Sequence, residues 1–181
     1  IDEGHDVSVI SPADDDTPLP PYVTGAGRAV PVPYNGSVAR LSFGFLSVSR
    51  VRRWIKEGGF DVLHVHEPEI PSLSLLACWV ASGPIVATFH TAIPRSRVLL
   101  VTYPVVRTGL EKINGRIAVS EAARTTLVEH IGGDAVVIPN GVATRRYRKA
   151  DPLPGWPPPG GAIGFLGRLD EPRKGLQVLL K

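Results

Sequence analysis

The chain has 181 residues, 43% of them hydrophobic and 20% charged, a globular composition with length enough for one complete core and a little more. No apolar run approaches the ~18 residues of a membrane-spanning helix, and no basic segment followed by an apolar core and a small-residue cleavage site opens the chain. The net charge of +3 and the pI of about 9.2 favour anions in general, and the lone Cys78 rules out a disulfide framework and, in its apolar stretch, reads as a buried, inert thiol.

In chain order, Ile1-Asp2-Glu3-Gly4-His5 reads as a helix end capped by Gly4, so a strand and a helix are expected ahead of it; the absence of any methionine, position 1 included, agrees. Strands are predicted at 7–10, 29–33, 61–66, 84–90, 115–120 and 135–139, with helices at 44–57, 70–81, 98–113 and 120–130. Short apolar strands alternating with helices predict a parallel sheet covered on both faces, and runs such as Val62-Leu63 and Ile85-Val86-Ala87 suit strands buried on both sides. Residues 150–161, Ala-Asp-Pro-Leu-Pro-Gly-Trp-Pro-Pro-Pro-Gly-Gly, continue neither regular structure and predict a linker. Beyond it, Ala162-Ile163-Gly164-Phe165-Leu166-Gly167 predicts a new buried strand, and a helical pattern starts at Gly175.

Open parallel sheets bind ligands beyond the carboxyl ends of their strands. Three segments there carry chemistry. One strand ends in His64-Val65-His66-Glu67-Pro68, its two histidines on one face; without a cysteine or carboxylate at ligand spacing, packing or hydrogen bonding is expected of them rather than a metal site. The next strand closes on His90, a ligand-contacting candidate, with Thr91 offering a cap to the succeeding segment. In Gly167-Arg168-Leu169-Asp170-Glu171-Pro172-Arg173-Lys174-Gly175, a strand-to-helix turn, Arg168 and Lys174 could grip a diphosphate from two directions, although a surface turn has the same composition. The turn at Asn35-Gly36 is surrounded by Tyr34, Asn35, Ser37 and Arg40, which suit a polyol carrying a phosphate.

Downstream, Phe45, Val48, Val51 and Ile55 form one helical stripe, with Arg52, Arg53 and Lys56 opposite, Trp54 at the boundary and Arg50 at the other margin. A membrane-surface helix and a solvated helix packed on its own domain share this pattern. The cluster Arg145-Arg146-Tyr147-Arg148-Lys149 reads as a solvated segment, and no nucleic-acid partner is expected.

At these residues the chain resembles the GT-B fold, family 4 glycosyltransferases, in His90, in Ile138-Pro139-Asn140-Gly141-Val142, in Gly167-Arg168 and in Lys174-Gly175. It is similar more narrowly to the phosphatidyl-myo-inositol mannosyltransferases in residues 32–41, 60–64, 66–68, 83–91 and 170–175. The resemblance implies an α/β fold: an acceptor-binding Rossmann-like domain over 1–149 with its first strand missing, the linker 150–161, and the start of a nucleotide-sugar-binding Rossmann-like domain over 162–181. It further implies a retaining hexosyltransferase moving mannose from GDP-mannose to the inositol ring of phosphatidyl-myo-inositol. Tyr34, Asn35, Ser37 and Arg40 would hold the inositol phosphate, His90 would lie at the reacting sugar, and Arg168 and Lys174 would bind the donor diphosphate. Arg95 stands at a basic acceptor-site position of the family, although Ala92-Ile93-Pro94 departs from its usual small polar run.

No tightly bound cofactor is implied; Mg2+ stays open as a possible one, although the sequence offers no site for it. The implied partners are the nucleotide sugar, phosphatidylinositol and an anionic inner-membrane surface, with the protein peripheral on the cytoplasmic face; Arg50, Arg52, Arg53, Trp54 and Lys56 would meet that surface. The 181-residue chain by itself is expected to lack transferase activity. The alternatives are a family 4 enzyme with another acceptor and a non-catalytic module that binds anionic lipid.

Overall fold

The computed structural model describes residues 3–14, 16–34, 37–92, 97–148 and 153–181. Its internal contacts divide the chain into two units, one of Ile1–Val32 with Arg40–Pro139, the other of Pro33–Ala39 with Asn140–Lys181.

In chain order, β1 (Val9–Ser11) pairs in parallel with β2 (Val23–Gly25), Val9 opposite Val23. β3 (Val30–Tyr34) and β4 (Ser37–Leu41) form a second two-stranded sheet. The 14-residue α1 (Phe45–Gly58) ends at Gly59, whose φ of 57° is the left-handed conformation that favours glycine. There follow β5 (Leu63–His66), α2 (Leu73–Val80), β6 (Ile85–Phe89), α3 (Arg97–Leu110), β7 (Gly115–Ala118), α4 (Glu121–His130) and β8 (Val136–Val137). β5 to β8 make one parallel four-stranded sheet in the order β5-β6-β7-β8. The α/β reading is therefore correct, and the sheet is Rossmann-like.

Local chemistry explains where the elements begin. Ser72 caps α2 by accepting from Leu75 N at 3.4 Å, and Ser120 caps α4 by accepting from Ala123 N at 3.2 Å, each relieving a helix of an unpaired donor. Asn114 sets the start of β6 from the neighbouring chain segment: its Oδ1 accepts from Ile85 N and its own N–H donates to Ile85 O, both at 2.9 Å. The core gathers Val51 of α1, Leu75, Leu76 and Cys78 of α2, Ile85 of β6, Val106 of α3 and Leu127 of α4. α2 packs on α1, α3 and β5, while α4 packs on β6, β7 and β8. Cys78 is fully buried and its thiol is pushed up to about 12 by desolvation, as an inert core sulfur should be.

Several expectations need correction. β2 and β4 lie outside the strands expected from the sequence: each is short, and the Asn35-Gly36 segment carries turn residues that hide the strand after it. Of the α1 stripe, Val51 is buried and Val48 and Ile55 pack against the core as expected, but Phe45 is 96% exposed, while Ser47 is buried and shares a 2.9 Å hydrogen bond with Ser42. Phe45 opens the helix, and a helical Cβ leans toward the N-terminus, which carries the first turn past the packed face. Among the described residues, 162–167 form no strand, although they are apolar; their backbone pairs with no neighbouring strand, and pairing is what makes a strand.

The second unit, taken by itself, carries one 3-10 turn at Thr144–Arg146, another at Pro172–Lys174 and the four-residue α5 (Leu176–Leu179). Gly175, at φ 79°, joins the last two.

Candidate active site at the carboxyl ends of β5 and β6

The sequence Leu63-His64-Val65-His66 alternates on the pleat, so Val65 enters the core at 4% exposure while both imidazoles project from the opposite face. The two rings stack, 4.7 Å between centroids and 23° between planes. His64 Nε2 lies 2.7 Å from Thr88 Oγ1, and His66 Nδ1 lies 2.9 Å from His90 Nε2. Thr91 donates its hydroxyl to Glu67 Oε1 just beyond the strand ends, and Glu67 N donates to Thr88 O at 3.0 Å. The three side-chain contacts all join residues 24 apart, so one parallel register sets all of them.

Glu67 has φ 48°, the one positive φ at a non-glycine residue among those described. A left-handed conformation at a residue with a Cβ costs about 1–3 kcal/mol and persists where its surroundings hold it, here by the hydrogen bonds to Thr91 and Thr88. The stacked histidines are electrostatically crowded. Desolvation, then the nearby His90, holds His64 below the usual histidine range; desolvation, then His64 and His90, does the same for His66 against an opposing pull from Glu67. Both are therefore neutral at physiological pH and available as hydrogen-bonding groups.

Two residues beyond Glu67, Glu69 is 5% exposed and its Oε2 has no hydrogen-bond partner among the described residues. Desolvation raises its carboxyl to about 8, helped by Glu67 and opposed by a hydrogen bond from its own backbone N–H. Glu69 is accordingly a neutral acid at pH 7.

The other candidate residues are placed as follows. Arg168 Nε and Nη2 reach the two carboxylate oxygens of Asp170 at 3.2 and 2.9 Å, which raises the guanidinium and lowers the carboxyl. Lys174 is exposed at the end of the Pro172–Lys174 turn. The helix that follows it is α5 (Leu176–Leu179). Asn35 and Arg95 lie outside the described residues; Tyr34 closes β3, and Ser37 and Arg40 belong to β4. On α1, Arg50, Arg52, Arg53 and Lys56 are all exposed. Arg50 also lays its guanidinium beside Gly27, in an open cleft of about 870 Å³ lined as well by Asp14, Arg28, Ser42 and Phe45. Trp54 donates Nε1–H to Ser8 Oγ at 3.1 Å and packs on Phe60 with centroids 4.4 Å apart, so its indole is held within the first unit.

Residues 1–146 match the model of Glycosyltransferase Family 4. The chain belongs to that family. It is 55% identical over 179 residues to the phosphatidyl-myo-inositol mannosyltransferase of Mycolicibacterium smegmatis, covering 99% of this chain and 46% of the relative. It is 56% identical to the protein of that name from Mycobacterium leprae, over 98% of this chain and 47% of the relative. The counterpart from Propionibacterium freudenreichii subsp. shermanii is 40% identical, over 98% and 49%. The chain thus spans about half the length of the curated relatives it matches.

Within this candidate site, reading the sequence singled out His64, His66 and His90 but missed Thr88, Glu67 and Glu69 as their partners and neighbours. Thr91, expected to cap the succeeding segment, donates to Glu67, while 93–96 of that segment lie outside the described residues. The signal that could have found these pairs is the matched pattern of two consecutive parallel strands, each carrying polar residues at alternate positions up to and just past its end.

Proposed function

We propose that this chain is the acceptor-binding half, with the beginning of the donor-binding half, of a retaining mannosyltransferase that moves mannose from GDP-mannose to the inositol ring of phosphatidyl-myo-inositol. Its domains would be 1–149 and the start of a second at 162–181, joined by 150–161. Supporting this are the relatives of that name, 54–56% identical over 98–99% of the chain. The observation that carries the chemistry is His90 at the carboxyl end of β6, held by His66 where an open parallel sheet binds ligands.

In this reading His90 contacts and orients the sugar, bringing the donor's anomeric carbon and the acceptor hydroxyl into register, and it is not a nucleophile. Arg168 and Lys174 stabilise the charge that accumulates on the departing diphosphate. Tyr34, Asn35, Ser37, Arg40 and Arg95 take the inositol phosphate, for which a planar guanidinium is well shaped. Arg40→Ala in the full-length protein is expected to raise KM for phosphatidylinositol about tenfold or more while leaving KM for GDP-mannose unchanged. Undiminished use of the inositol lipid by this variant would instead favour a family 4 enzyme with another acceptor.

Membrane contact through α1 has its own support. Arg52, Arg53 and Lys56 are exposed, and so are Phe45 and Leu46, at 96% and 77%. Among the described residues no helix is long and apolar enough to cross a bilayer, and exposed apolar groups beside basic ones suit a peripheral seat on the anionic cytoplasmic leaflet. Reversing both charges, R52E with R53E, is expected to weaken co-sedimentation with phosphatidylinositol vesicles by at least about tenfold, and adding salt should weaken the parent in the same direction. Binding unaffected by either treatment would remove α1 from the membrane.

A further inference from the structure

The hydrogen bond between His66 and His90 constrains more than the position of a ring. A neutral imidazole carries one proton, so at each N···N contact one ring donates and the other accepts, and the two tautomers are coupled. His90 meets His66 through Nε2, which leaves its Nδ1 for any other partner; His66 meets His90 through Nδ1. If His90 donates, both rings hold their proton on Nε2, the nitrogen a free histidine side chain prefers, and neither is forced into its less favoured form.

His66 is itself restrained. Its ring lies on that of His64, 4.7 Å away, and His64 is tied to Thr88 at 2.7 Å, so turning His66 about its side-chain torsions would break the stack and the contact to His90 together. Glu67, next in sequence, is occupied by Thr91 and so does not compete for the His66 ring through that oxygen. These contacts run from the body of the sheet to the residue at its edge.

We propose that His66 is a positioning residue for the transfer reaction: by accepting from His90 Nε2–H, it holds the His90 ring in one orientation with Nδ1 bare, so that His90 offers a sugar hydroxyl an acceptor rather than a donor. The functional half of this assignment rests on His90 being the residue that faces the sugar. The structural half does not.

The test separates the two. In the full-length protein carrying nitrogen-labelled histidine, at about pH 8 where unperturbed imidazoles are neutral, long-range proton–nitrogen correlation spectra are expected to show His90 protonated on Nε2 with a scalar coupling across the hydrogen bond to His66 Nδ1. A His90 protonated on Nδ1, or the absence of that coupling, overturns the proposal. His66→Phe keeps a flat ring but removes the acceptor, and it should expose the His90 Nε2–H to rapid exchange with solvent. His66→Asn places an amide oxygen near the former Nδ1 and should retain much of the protection. In mannose transfer, His66→Phe is expected to lower kcat about tenfold with little change in KM for the nucleotide sugar, and His66→Asn to restore most of it, as a positioning effect requires. Unchanged kcat in His66→Phe overturns the positioning role. Full activity in His90→Ala with the coupling present in the parent would instead sink the assignment of His90 to the sugar.

Discussion

Under the proposed function, Arg168→Ala in the full-length protein is expected to lower kcat for mannose transfer by about 10²–10³-fold, the usual consequence of deleting a group that meets charge developing in the transition state. Lys174→Ala should act in the same direction with a smaller effect, because an ammonium on a flexible stem makes a less directional contact than a guanidinium fork. The structure adds a condition. Arg168 holds Asp170 through two hydrogen bonds, and that pairing keeps the guanidinium firmly cationic and the carboxylate ionised. A diphosphate that takes the Nε/Nη2 edge of Arg168 competes with Asp170 for it. Asp170→Asn, which weakens the competitor and leaves the cation, is therefore expected to tighten GDP binding several-fold, read by calorimetry. A kcat within about threefold of the parent for Arg168→Ala would remove this residue from the donor diphosphate.

Glu69→Gln is expected to stabilise the fold at alkaline pH and to leave it almost unchanged near pH 4. The sign follows from linkage. The folded-state pKa of about 8 lies above the ordinary value of 4.5, so between these values the native state holds a proton that the unfolded chain has released, and stability falls as pH rises through that window. Below pH 4.5 both states are protonated and the contribution is fully present; above about 8 it is spent. Every tenfold change in proton affinity corresponds to about 1.4 kcal/mol, and allowing for local relaxation the substitution should stabilise by roughly 3 kcal/mol at pH 8. At about 2–4 °C per kcal/mol for a chain of this size, Tm should rise by about 6–12 °C. Thermal melts of parent and variant across pH 4–9 test it, and parallel curves would show that Glu69 ionises freely in the folded state. His64 and His66 act at the other end of the scale, for depressed histidines cost stability as pH falls below their ordinary value of 6.5. Together with Glu69 they predict a stability maximum on the mildly acidic side of neutrality.

The α/β architecture was legible because buried parallel strands are apolar throughout and helices between them are bounded by recognisable caps. Leu63–His66, Ile85–Phe89 and Gly115–Ala118 all fall within predicted strands, and Ser72 and Ser120 stand at helix starts. Residues 162–167 show the limit of that logic, since an apolar run states a preference for burial but leaves open whether another strand lies beside it. The family was legible in the same way, from runs of residues whose identity survives without any geometry.

Fold class, family resemblance and the presence of reactive side chains at the strand ends could all be read from the chain, because periodicity and side-chain chemistry are properties of neighbours along it. Which of those side chains meet is a matter of tertiary structure alone. His64 with Thr88, His66 with His90 and Glu67 with Thr91 depend on the parallel register of β5 on β6, and the raised carboxyl of Glu69, whose Oε2 lacks a partner among the described residues, depends on burial. Register and burial are set by the packing of the whole sheet, and a slip of one residue would have turned each of these groups to the other face.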